Sequence, residues 1–179
     1  MSNDNGRNAW AGIMAEDEKI LWQGRPDGSV VFKPGNIVVF LFGLVFAGFA
    51  LFWMIMASMA GGFFWMFGLL HFGVGVGISF GAIFWSAFVR RRTFYTLSDR
   101  KAYIATDLPV RGKGLKSYPI DGDTVLDFRE GDPGSIYFAQ ETRRGNKGST
   151  RVIDIEFERV ENARDVFSIL SKVTRGQQV

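Results

Sequence analysis

Residues 36–58 read NIVVFLFGLVFAGFALFWMIMAS and residues 63–89 read FFWMFGLLHFGVGVGISFGAIFWSAFV. Crossing about 30 Å of hydrocarbon at about 1.5 Å per helical residue takes roughly 20 apolar residues, and these runs supply 23 and 27. No Asp, Glu, Lys or Arg lies between Lys33 and Arg90, and His71 is the one titratable side chain there. Met59-Ala60-Gly61-Gly62 separates the runs as a short uncharged turn. A helical pair buried in a soluble core needs a polar face on each helix, and neither run has one. The expectation is a two-helix transmembrane hairpin spanning 36–58 and 63–89.

Flanking charge orients such a hairpin. Arg90, Arg91 and Arg92 abut the second run and Arg25 and Lys33 precede the first, whereas the intervening turn carries no charge. Positive residues stay on the cytoplasmic side, so both termini are expected there, with the three arginines as topology anchors. Trp53 and Trp65 lie toward the outer end and Trp85 toward the inner one. Gly73, Gly77 and Gly81 recur every four residues, and Gly43 and Ala47 offer a similar face on the first run. Small residues let helix backbones approach closely. Packing within the hairpin is the expected use of both faces, and self-association is the other.

Outside this block the 179 residues are polar. Residues 1–35 carry four basic and five acidic side chains, and residues 90–179 carry 17 and 13. That balance falls short of the dense basic stripe of a nucleic-acid binder, but suits a domain held close to an anionic leaflet. The chain has no Cys, which excludes disulfides, thiolate metal sites and thiol nucleophiles. The first apolar run begins near Ile37, too late and too long for a cleaved signal peptide.

Beyond Arg92 the periodicity turns from helical to alternating. Residues 93–97, 101–105, 115–120, 124–129, 135–140 and 151–157 read as strands, divided by turn formers at 98–100, Asp121-Gly122, 131–134 and a Gly-rich loop near Asn146. Val160, Ala163, Val166, Phe167, Leu170 and Val173 then recur at helical spacing, with Asn162 as the cap. Upstream, residues 19–23 (KILWQ) form one more strand, whose only available partner is the downstream sheet. The expected organisation is a patternless segment at 1–15, a cytoplasmic strand segment at 16–35, the hairpin, a cytoplasmic domain at 90–173 and a tail at 174–179.

The stretch EKILWQGRP (18–26) before a two-helix segment, with RTFYTLSDRKAYI (92–104) after it, resembles the bacterial pleckstrin-homology-like membrane proteins. The resemblance extends over residues 16–173, with Ser98-Asp99-Arg100-Lys101 where the family more often has Thr-Asp-Arg-Arg. It implies an inner-membrane α+β protein whose seven strands form a strongly bent sheet or barrel capped by the C-terminal helix. It brings no catalytic residues, and fold does not fix function.

A search for chemistry finds little. Asp121, Asp123 and Asp127 cluster, but Asp121-Gly-Asp reads as a turn in which Asp bonds its own backbone, and one His in the chain is too few for most hydrolytic or metal sites. His71 has no acidic partner in the hydrocarbon with which to form a relay. Residues 145–150 (GNKGST) precede a strand rather than open a helix, so they are not a phosphate loop. No catalytic, cofactor or metal site is expected. Two loops do concentrate positive charge: Arg111, Lys113 and Lys116 on one, and Arg143, Arg144, Lys147 and Arg151 on the other. These are the candidate contacts for anionic lipid or an acidic protein partner. The leading expectation is a membrane-anchored binding or scaffolding module rather than an enzyme. The alternative is a subunit of a membrane complex, or a homo-oligomer, acting through its hairpin.

Overall fold

The computed structural model describes residue 10 and residues 12–109, 111–145 and 148–177. The chain divides into a helical unit, Gly28–Arg91, and a β-rich unit made of the chain up to Asp27 and from Arg92 onward.

In the helical unit, α1 spans Pro34–Met59 and α2 spans Phe67–Arg91, the latter preceded by a 3₁₀ turn at Phe64–Met66. Proline suits the start of α1, because its ring fixes φ near the helical value and the first turn needs no N–H from it. Gly61 and Gly62 follow the end of α1 with φ of +83° and +76°, a left-handed backbone open mainly to glycine. Both helices are long and apolar enough to cross a membrane, and only 17% and 22% of their most apolar windows is buried.

The seam between the helices is made of small residues. A Cβ on Gly43 would lie 2.8 Å from the Gly75 carbonyl oxygen, and one on Gly75 would lie 2.7 Å from the Ala47 nitrogen. The Ser79 hydroxyl sits 3.1 Å from the carbonyl oxygens of both Phe40, across the seam, and Gly75, on its own helix. The expected packing stripe on α2 is therefore corrected. A Cβ at Gly73, Gly77 or Gly81 would meet open space, and the buried positions are Gly68, Gly75, Ser79, Ile83, Ala87 and Arg90. Four-residue spacing finds a stripe but not its direction, and helices apolar on every side carry no hydropathy signal to orient them.

In the β-rich unit, β1 (Ile20–Gly24), β2 (Thr93–Ser98), β3 (Lys101–Leu108) and β4 (Gly112–Pro119) form one antiparallel sheet in that order. A second contains β5 (Asp127–Arg129), β6 (Gly134–Arg144) and β7 (Thr150–Val160). Among the described residues there are seven strands, but as two sheets, because residues 120–126 leave β4 without pairing and β5 pairs there only with β6. The strand that precedes the helices joins the downstream sheet, with Trp22 opposite Leu97.

Alternation on each strand turns Leu97, Ala102, Ile136, Ile155 and Phe157 into a common core. Phe157 is its hub, with ring centroids 4.8 Å from Tyr95, 4.8 Å from Phe138 and 5.5 Å from Trp22. The helix α3 (Ala163–Thr174) buries Val166 and Leu170 in the same core. Asn162 occupies the N-cap, but with φ 53 and no side-chain cap bond. Its carbonyl does that work, accepting from Asp165 and Val166 at 2.9 and 3.3 Å.

Residues upstream of β1 contact the first sheet. Trp10 packs edge-on against Tyr103 at 5.3 Å. The Glu18 carboxylate accepts from Ser98 and Tyr103 hydroxyls at 2.5 and 2.9 Å, the Lys19 amide donates to Asp99 at 3.0 Å, and Asp17 pairs with Arg100. Trp10 and residues 17–19 thus form a strap over the β2–β3 turn.

Candidate functional site

Strand register decides where the basic loops lie. Tyr118 on β4 contacts Phe138 on β6 (ring centroids 6.0 Å apart), and Lys116 Nζ lies 2.5 Å from Glu141 Oε2. Sequence numbers rise along β4 as they fall along β6 between these contacts, so the strands run antiparallel. The β3–β4 and β6–β7 turns consequently project from one end of the β-rich unit. Arg111 and Lys113 are exposed at the first turn. At the second, Arg143 and Arg151 are cross-strand partners and Arg144 faces Thr150. Lys147, the remaining candidate, lies outside the described residues. The structure thus brings together two loops that are about 30 residues apart in the chain.

One acidic group at this end, Glu141, is already engaged. Glu141 sits between Lys116 and Arg143, with Arg143 at 3.4 Å. The Lys116 ammonium, and then Arg143, hold its carboxyl below the usual carboxylate range. Asp107 stands opposite Lys113. The same end receives the chain from α2: Thr93 pairs with Thr106, and the Asp107 amide donates to the Arg92 carbonyl at 2.9 Å. Arg25 adds a further cation, its guanidinium 4.1 Å above the Phe94 ring.

The arginines expected to act together as anchors divide their roles. Arg90 is only 3% exposed and donates to the Ser29 carbonyl at 2.7 Å. Arg91 Nε donates to the Gly28 carbonyl at 3.0 Å. Both tie down the segment that leads into α1, contacts some 60 residues apart that spacing cannot reveal. Arg92 is exposed and lies in the β-rich unit.

The remaining candidates make local contacts. Asp121 Oδ1 accepts from the Asp123 amide and the Thr124 hydroxyl at 3.1 and 3.0 Å, a side-chain-closed turn. His71 Nδ1 lies 3.3 Å from the Phe67 carbonyl, its ring beside Phe46 and Phe67. Among the described residues there is no group of three or more side chains able to hold a metal.

Sequence reasoning missed Glu156. Burial, opposed by hydrogen bonds from Tyr137 and Ser135, raises its carboxyl above the ordinary value. Its Oε2 is buried with no partner among the described residues. A Glu in an alternating strand reads as solvent-facing, and its cross-strand partner Tyr137 lies on another strand, outside the local pattern. Comparison with protein-family models, curated proteins and solved structures finds no match.

Proposed function

We propose that this chain is a membrane-anchored binding module, with α1 and α2 crossing the bilayer as a hairpin and the β-rich unit reading an anionic leaflet on the cytoplasmic side. One observation carries the reading: both basic turns project from the end of the β-rich unit at which the chain arrives from α2. A span ending at Arg91 puts Arg92 at headgroup level. Each Lys or Arg near an anionic surface adds about 1 kcal/mol, fading beyond a Debye length. The outward apolar side chains of both helices support insertion, since lipid is the solvent that suits them. Seven antiparallel strands with a C-terminal helix in the core support the pleckstrin-homology-like reading.

The test uses the full chain in nanodiscs. Hydrogen exchange over 111–114 and 143–151 should slow when phosphatidylglycerol is added to phosphatidylcholine, and recover in high salt. Equal exchange in both discs would remove the headgroup reading. Extraction by carbonate, or reporters at the two termini falling on opposite sides, would remove the hairpin.

A second reading is favoured by the outward direction of Gly73, Gly77 and Gly81. A smooth face on a membrane helix is a site for another helix, so the hairpin can also act as an assembly subunit.

A further inference from the structure

The strand β6 is longer than its partner on one side. It spans Gly134–Arg144 and pairs with β7 from end to end, with register shifts between Gly134 and Ile136 and between Tyr137 and Ala139, but β5 matches it only from Ser135 to Tyr137. In the sheet order, β5 is its sole neighbour on that side. β4 reaches β6 through the side chains of Lys116 and Tyr118 but belongs to the other sheet. Among the described residues, no strand pairs with this edge from Phe138 onward.

Where the pairing stops there is an open groove of about 650 Å³. Phe138, Ala139 and Gln140 of β6 line it together with Pro119 and residues of the 121–125 turn. Its charge is one-sided. Asp121, Asp123, Asp127 and Asp154 line it, with Arg129 as the single cation. Arg129 is already held by stacking over the Tyr137 ring at 4.4 Å and by Asp127 at 4.0 Å. Val125, 82% exposed, supplies an apolar contact at the rim.

An exposed strand edge is a template for another strand, and proteins that use one draw affinity from main-chain bonds and selectivity from the flanking side chains. We infer that this groove binds an extended basic peptide, which continues the line of β5 antiparallel to β6 and sets Lys or Arg side chains among the four aspartates. The inference does not depend on the membrane reading, because the groove belongs wholly to the β-rich unit.

The test is fluorescence anisotropy with full-length protein in uncharged detergent micelles. The probes are a labelled heptapeptide alternating lysine and valine and its glutamate–valine counterpart. The basic peptide should bind and the acidic one should not, with affinity falling as salt rises. N-methylation of alternate peptide amides should cost tenfold or more in one register and little in the other, since only one set faces the edge. The double variant D123K/D154K should also lose at least tenfold while keeping its thermal midpoint. Equal binding of both peptides, equal effects of the two methylation registers, affinity unchanged in the double variant, or absence of binding would each overturn the inference.

Discussion

Arg159 on β7 grips Asp27, the last residue of the β-rich unit before the chain enters the helices: Nε and Nη2 lie 3.1 and 2.5 Å from Asp27 Oδ2. The backbones meet as well, with the Asp27 amide donating to the Arg159 carbonyl at 2.7 Å and Pro26 bridging to Val160. About a quarter of each side chain is exposed, so the pair is screened less than a surface salt bridge. Hydrogen bonds to charged groups contribute about 1.5–3 kcal/mol. Asp27→Ala should therefore destabilise the β-rich unit by about that much, and Asp27→Asn by less. Denaturant unfolding followed by Trp22 emission measures both, and a double-mutant cycle with Arg159→Met isolates the pair.

The strap over Tyr103 makes stability sensitive to pH at both extremes. Burial raises the Glu18 carboxyl, but hydrogen bonds from Ser98, Ala15 and Tyr103, with Lys101 nearby, outweigh it and leave the group below its usual value. A depressed carboxylate stabilises above its unfolded pKa and loses that contribution as pH falls through the folded one, so acid should loosen residues 10–19 first. Burial, and then the Glu18 bond, push Tyr103 up to about 12. That contribution is complete below about pH 10 and disappears as pH rises through 12. Ultraviolet titration of Tyr137→Phe protein should show Tyr103 ionising near 12, and Glu18→Gln should bring it down.

Glu156 has the opposite sign. Its carboxyl is raised chiefly by burial, so its ionisation at neutral pH weakens the fold, and protonation relieves this. Glu156→Gln keeps an acceptor for Tyr137 and Ser135 without the charge. The variant should unfold at a higher temperature than the parent at pH 7, and the gap should close toward pH 4. A gap independent of pH would show that the buried charge is not its cause.

Two glycines on α2 separate hairpin packing from assembly. At Gly75 a Cβ would collide with Ala47, whereas at Gly77 it meets nothing. Gly75→Leu should cost about 1–3 kcal/mol by overpacking and lower the thermal midpoint in micelles. Gly77→Leu should leave the midpoint unchanged but reduce cross-linked oligomers if that face joins another helix. An unchanged cross-linking pattern would remove the assembly reading.

The apolar helices and most strands were legible locally. Hydropathy placed the helices within two residues of Pro34–Met59 and Phe67–Arg91, apart from the 3₁₀ start of the second. Two-residue alternation in 151–157 sets Ile153, Ile155 and Phe157 on one face; Ile155 and Phe157 are buried and Ile153 is partly buried. The loop charges were visible as residue types. Their common end was not, because it rests on Lys116–Glu141 and Tyr118–Phe138, contacts between strands that share no hydrogen-bond ladder.

By itself the amino-acid order determined what each segment must do with its apolar atoms: two uncharged runs long enough for a bilayer, alternating strands with one wet face, and an amphipathic closing helix. Burial drives those choices residue by residue, so they are written into local pattern. Only the folded chain decided which glycines meet, that the strands divide four and three, where β6 is left without a partner, and that Asp27 reaches Arg159. Each depends on the geometry of residues far apart in the chain, and the pattern within one segment carries no information about the direction from which another approaches.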